Sequence, residues 1–247
     1  MSFSIDHVVI LVHNLAVATE DYTELGFTVT PGGTHTDGTT ENALVAFADG
    51  SYFELIVFMR AAPDHQWWRH VAHGEGLIDW ALLPSDITAD IAAASARGLA
   101  YSGPTPGGRL RPDGQELRWQ TGRPATPDLP FLCADLTPRA LRVPGGAART
   151  HANGMLGIAQ ITVAVADLAA SSARYQALLG SAPLDAESGD QVISFALGAA
   201  RIRLIPASAR LHGDGPFALV LRTSDLADET FEPQQTHGVV IDVVAAS

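Results

Sequence analysis

The chain has 247 residues, 47% of them hydrophobic and 17% charged, enough to bury a large core as one domain or two packed halves. Its formal net charge of −12 at pH 7 argues against nucleic acid or an anionic membrane surface as a partner, because either needs clustered cations. All 15 basic residues are arginine and the single cysteine is Cys133, which excludes lysine Schiff bases, the lysine-bearing phosphate loop, internal disulfides and thiolate zinc centres.

No apolar run reaches the roughly 18 to 20 residues that cross a bilayer, and the N-terminus lacks the basic start and cleavage site of a signal peptide. The expectation is a soluble, cytoplasmic protein. In chain order, "IDHVVILV" reads as a strand and "LAVATEDYTELGF" as a helix ended by Gly26. "FTVTPGG", "NALVAFADG" and "SYFELIVFM" follow as strands between Gly and Asp-Gly turns, giving βαβββ.

The order returns from Leu77: a strand, the helix "ITADIAAASARGLA", then strand candidates near Tyr101, in "QELRWQT" and in "LPFLCADL". A third copy runs through "IAQITVAVADL", the helix "AASSARYQALLG" and short strands near "LDAES", "QVISFALG" and "ARIRLIPA". A fourth, shortened copy keeps "PFALVLRTSDL" and "HGVVIDVV". Such repeats are a fold-level signal. They divide the chain into a first half, 1–137, with two modules; a Pro-, Gly- and Arg-rich linker, 138–156; and a second half, 157–247. Each copy begins with an apolar run, a turn residue, an acid or amide and then Leu or Ile. Set in register, the position of His7 is filled by Asp79, Gln160 and Ala218 in the other copies.

Four βαβββ units with a polar residue fixed early in the first strand resemble the vicinal oxygen chelate superfamily, and more narrowly its glyoxalase-like domain proteins. The residues that carry the resemblance are "IDHVVILV", "PGGTHTDGTTENALVAFADGSYFELIVF", "GEGLIDWALLPSDI" and "THANGMLGIAQITVAVADL". It implies an α+β fold in which paired modules form cupped mixed sheets, with helices outside and a divalent metal between first and last strands. The matching ligand positions are His7 and Glu54, with Asp79 as third ligand, or Gln160 if the third module pairs with the first. The last strand of the second module offers Cys133, Ala134 or Asp135, its register left open. In the second half Gln160, Arg203 and Ala218 fill such positions; Arg203 would repel a cation, so at most one metal is expected.

Strand alternation points the same way for the first module. Ile5, His7, Val9 and Leu11 share one face, and Tyr52, Glu54, Ile56 and Phe58 another, so each strand sets one ionisable group among apolar neighbours. A buried carboxylate needs a partner, which for Glu54 is either an arginine or a metal. Imidazole nitrogen with carboxylate oxygen suits Zn, Mn, Fe, Ni or Co. His35, in a Gly-rich loop, is a candidate general base beside Glu54.

The leading expectation is a divalent-metal-dependent lyase, isomerase or epimerase that stabilises an enediolate of a small, largely apolar oxygenated substrate. Iron would instead permit ring-cleaving oxygenation. The alternatives are a metal-free protein that sequesters an apolar or cationic molecule in an acidic pocket, and a cofactor-free, cyclase-like catalyst using Glu54 or Asp79 as acid or base. Trp67 and Trp68 form a lid or pack a helix on the sheet, and His151 with Asn153 matches the resemblance without implying a mechanism. Cys133 reads as a small buried hydrophobe. Strand edges in the shortened fourth copy favour a homodimer.

Overall fold

Each helix of the repeats starts at the acid or amide that ends the preceding apolar run. In the computed structural model, Asn14 accepts from the Ala16 and Val17 amides, Asp86 from Thr88 and Ala89, and Asp167 from Ala170. The structure describes residues 3–184, 192–207, 213–224 and 230–246. The corresponding acid of the fourth copy, Asp225, and most of the strand expected at "LDAES" lie outside them.

The first module is β1 (Ser4–Leu11), α1 (Leu15–Glu24), β2 (Thr30–His35), β3 (Thr40–Ala46) and β4 (Tyr52–Phe58). After the short α2 (Trp68–Val71), the second is β5 (Gly76–Leu83), α3 (Ile87–Ala96), β6 (Tyr101–Leu110), β7 (Glu116–Pro124) and β8 (Phe131–Asp135). These strands close into a barrel in the order β1-β4-β3-β2-β6-β7-β8-β5. The 138–156 stretch carries α4 (Arg139–Arg142) and a single 3-10 turn, Gly146–Arg149. Beyond it come β9 (Met155–Val165), α5 (Leu168–Leu179), β10 (Ile193–Leu197), β11 (Ala200–Pro206), β12 (Gly215–Thr223), β13 (Thr230–Phe231) and β14 (Val240–Ala245). They form a six-stranded sheet, ordered β10-β11-β9-β12-β14-β13. The fold is thus α+β, built of βαβββ-type modules.

Two departures from simple alternation shape the interior. β1 is bulged against β5: Ile5 pairs with Leu82 and His7 with Ala81, leaving Asp6 as the extra residue. Asp6 is fully buried and bonded to His7, while Ile5 joins the apolar core outside the barrel. The second departure is in β2, which starts at Thr30 rather than Phe27 and runs on through His35. Gly33 makes this possible: its φ is +127° and an added Cβ would meet the Leu110 carbonyl oxygen at 2.0 Å. His35 is therefore fixed in a strand, not carried on a loop.

One apolar core joins the outer face of β1 (Val8, Ile10), the helices (Tyr22, Ala94, Tyr175) and the second sheet (Ile161, Val163, Leu219). A smaller cluster inside the barrel contains Val9, Leu11, Ile56, Trp67, Ile78, Ala81, Phe131 and Cys133. The remaining interior is polar, and it frames the site.

Candidate active site

In the parallel β1–β4 pairing His7 lies opposite Tyr52 and Val9 opposite Glu54, so His7 and Glu54 are diagonal neighbours on the barrel's inner face. The His7 Nε2 is 3.4 Å from Glu54 Oε2, and the His35 Nε2 is 3.5 Å from Oε1. Asn42 on β3 donates to Oε1 at 2.5 Å. The other ring nitrogens are held from behind: His7 Nδ1 by Asp6 at 2.7 Å and His35 Nδ1 by the Thr40 hydroxyl at 2.8 Å. Tyr52 stacks on the His7 ring at 4.7 Å, and Trp119 meets His35 edge-on. The fold thus brings together three of the candidates named from the sequence: His7, His35 and Glu54.

They line a cavity of about 240 Å³, walled by Trp67, Trp119, Phe131 and Cys133 and by Arg109, Arg123 and Arg142. Burial pushes the Cys133 thiol up to about 12, so it is an unreactive wall group. His65, Gln66 and Trp67 come from the segment before α2 and cover one side, whereas Trp68 packs against Phe58. The lining is arginine-rich rather than acidic, which removes the premise of the cationic-ligand expectation.

The other two proposed ligands are elsewhere. Asp79 accepts from Trp67 Nε1 at 2.7 Å and Arg123 Nη1 at 3.1 Å, and it lines an adjoining cavity. Gln160 is in the second sheet, donating to Thr162. Asp135, at the end of β8, is bound by Arg142 and Arg139. His151 and Asn153 are structural: His151 joins the Thr28 amide to the Ala46 carbonyl, and Asn153 holds the Leu25 carbonyl.

Sequence reading missed the charge network that supports His7. Arg142, 3% exposed, sends its guanidinium to Asp6, Asp135 and the Tyr52 hydroxyl, with Arg139 bridging the same two aspartates. Two arginines three positions apart in a Pro- and Gly-rich stretch read as a solvated connection. The one available signal was Asp6, an acid beside His7 in an otherwise apolar strand.

Electrostatics separates the two imidazoles. Burial works against charge on His7, but its contacts with Asp6 and Glu54 outweigh it and raise the pKa above its ordinary value. Burial lowers the His35 pKa, with Arg109 adding to the effect and Glu54 opposing it. Burial alone would raise the Glu54 carboxyl; His7, His35 and Asn42 together hold it down at about 2. These contacts therefore favour the charged forms of His7 and Glu54, and burial favours the neutral form of His35.

This arrangement does not fit a divalent ion. Among the described residues, no group of three or more His, Cys, Asp or Glu side chains is placed to hold one. The imidazoles address different oxygens of Glu54, Asp79 is taken up by Arg123 and Trp67, and Arg109 and Arg142 stand in the same wall. The expected His7, Glu54 and Asp79 set is not assembled.

A family model described as a glyoxalase-like domain matches residues 5–179. No curated protein matches the sequence. Among solved structures, a hypothetical protein from Staphylococcus aureus aligns with a TM-score of 0.80 at 12% identity, covering 99% of this chain and 100% of that one. A mutant of 4-hydroxymandelate synthase from Streptomyces coelicolor aligns with a TM-score of 0.61 at 18% identity, covering 91% of this chain and 72% of that one. A xylose isomerase-like TIM barrel/4-hydroxyphenylpyruvate dioxygenase fusion protein gives 0.56 at 19% identity over 90% of this chain, which spans 36% of the fusion. At these identities the likeness is one of fold. No helix among the described residues is long and apolar enough to cross a membrane.

Proposed function

Because the chain belongs to the glyoxalase-like domain family, we propose that its barrel is the active site of a lyase, isomerase or epimerase that moves a proton on a small oxygenated molecule. The observation that carries this reading is the His7–Glu54–His35 constellation, in which one carboxylate stands between two imidazoles whose pKa values are driven apart. Titratable pairs separated in this way are the usual mark of an acid and a base.

His35 serves as base. With its Nδ1 hydrogen on the Thr40 hydroxyl, Nε2 carries the lone pair at the cavity wall. A proton taken there from a carbon next to a carbonyl is met by Glu54, which stabilises the new imidazolium. His7 serves as acid: its Nε2 proton passes to the substrate oxygen as the enolate forms, while Asp6 holds the ring in orientation. Return of the proton to either carbon face, or loss of a leaving group, gives epimerisation, isomerisation or elimination. The small cavity and its aromatic walls suit a compact, partly apolar substrate.

The test is solvent deuterium incorporation into small aldehydes, ketones and oxo acids, followed by NMR. Exchange by the wild type that falls at least a hundredfold in His35→Asn and Glu54→Gln supports the reading. Absence of exchange across such a panel sinks it. Metal content of protein purified without chelator is the second arm. One metal per chain, lost in both His7→Ala and Glu54→Ala, would replace this reading with a metal-dependent one.

A further inference from the structure

Arg109 is the least explained buried charge among the described residues. It is 3% exposed, lies directly across β2–β6 from His35 and lines the same cavity. Its Nη1 donates to Asn42 Oδ1 at 2.9 Å and its Nη2 to the Arg142 carbonyl at 3.2 Å. Both acceptors are neutral. The Nε–H is buried with no hydrogen-bond partner, and among the described residues no carboxylate pairs with Arg109.

The neighbouring charges are otherwise matched. Arg139 and Arg142 face Asp6 and Asp135, and Arg123 faces Asp79. Glu54 is engaged by Asn42 and the two imidazoles. A buried guanidinium in no direct ion pair is costly, and its planar, charged fork matches a carboxylate.

We propose that Arg109 is the substrate's anion receptor, so that the substrate class is a small carboxylic acid, held through its carboxylate at Arg109 beside His35. The inference rests on the reading of the cavity as a substrate site and deepens it. Asn42 joins receptor to chemistry: one end of its amide holds Arg109 and the other Glu54. A carboxylate at Arg109 therefore brings its neighbouring carbon to the wall where His35 stands. The chain as a whole carries −12, so its outer surface repels acids and any preference for them must arise at a local cationic site.

The experiment compares binding of a panel of small aryl and alkyl carboxylates, phenylacetate first, with their uncharged amides, by calorimetry and by the ring NMR signals of His35. The His35 signals place binding in this cavity rather than in the one on the far side of Arg109. The wild type is expected to prefer acids by about tenfold or more, as for a charge-assisted hydrogen bond. Arg109→Gln should lose that preference while still binding amides, and Arg109→Lys should keep part of it. Equal binding of acids and amides by the wild type, or a preference that survives Arg109→Gln, overturns the proposal. If Arg109→Gln does not fold, the wild-type comparison and Arg109→Lys decide. Acid preference that persists in His35→Asn, with no proton exchange in the wild type, would retain the receptor and reject the catalytic reading.

Discussion

The barrel and the second sheet are built on the same pairing scheme and differ in what they enclose. β1 pairs parallel with β4 and antiparallel with β5; β9 pairs parallel with β11 and antiparallel with β12. Their registers superpose: Tyr52 lies opposite His7 as Arg201 does opposite Gln160, and Glu54 lies opposite Val9 as Arg203 does opposite Thr162. Only the barrel is closed, through the short β2–β6 seam where His35 meets Arg109. Closure is what makes an inner face that can be polar and still buried. In the open sheet, Gln160 and Arg203 are half-buried and Arg201 is exposed, so their polar groups are solvated and demand no partner.

The sharpest way to break this contrast is to remove a charge the barrel encloses. Asp6→Ala leaves Arg142 and His7 facing an apolar methyl inside the barrel, and should cost about 3–5 kcal/mol in chemical denaturation. Burial would raise the Asp6 carboxyl, yet Arg142, His7 and Arg139 hold it well below the usual range, which is the same coupling seen from the acid's side. Gln160→Ala, at the position corresponding to His7, should change stability by about 0.5 kcal/mol or less. Equal effects at the two sites would remove the distinction.

Next in size is the loss of chemistry. Glu54→Gln and His35→Asn should each reduce proton exchange about 10²-fold or more, whereas Arg203→Ala, in the register position of Glu54, should leave it unchanged. Exchange lost equally in Arg203→Ala would move the site out of the barrel.

How far the sequence showed all this depends on which physical rule each residue obeyed. The modules and their helices were legible because apolar periodicity and N-capping residues act locally, and the same periodicity set His7 and Glu54 each among apolar neighbours; their pairing came from the resemblance. His35 was legible as a candidate but not as a strand residue, since Gly33 permits a pairing with β6 that no local pattern encodes. Asp79 was misplaced because its position in the repeat says nothing about Arg123, brought beside it from β7, or about Trp67. Asp6 and Arg142 were invisible as a pair: one depends on a bulge and the other on a short helix folded back from 136 residues away. Long-range ion pairs leave no spacing to read.

Stability should depend on pH through the groups that the barrel encloses. The His7 pKa is raised in the folded state, so its contribution is complete below its ordinary value near 6.5 and is lost as pH rises through the folded pKa. The Glu54 pKa is lowered to about 2, so its contribution is present above the ordinary value of 4.5 and is lost as pH falls toward 2. His35, whose pKa burial lowers, works the opposite way from His7: its contribution is present above the ordinary value near 6.5 and is lost as pH falls below it. Denaturation midpoints should therefore decline toward acid as His35 and then Glu54 take up protons, and toward alkali as His7 loses its own. His7→Gln should flatten the alkaline side and Glu54→Gln the acid side, while Arg203→Ala should alter neither. Proton exchange should rise as His35 loses its proton, below the ordinary histidine pKa, and fall as His7 loses its own above it.

The smallest change tests whether Asn42 couples receptor and base. A Cβ on Gly32 would lie 2.0 Å from Asn42 Oδ1 and 2.8 Å from Arg109 Nη1, atoms at the free ends of side chains. Gly32→Ala should therefore leave the barrel folded but turn the Asn42 amide away, releasing its bonds to Arg109 and Glu54 together. Each is a charge-assisted hydrogen bond of modest net worth, so exchange and acid preference should both fall by about three- to tenfold. Gly145→Ala, with nothing within 4 Å of the added carbon, controls for the substitution itself. A fall in one property without the other would show that Arg109 and Glu54 act independently. A parallel fall would mean that the enclosed polar face works as one unit, joined through the Asn42 amide.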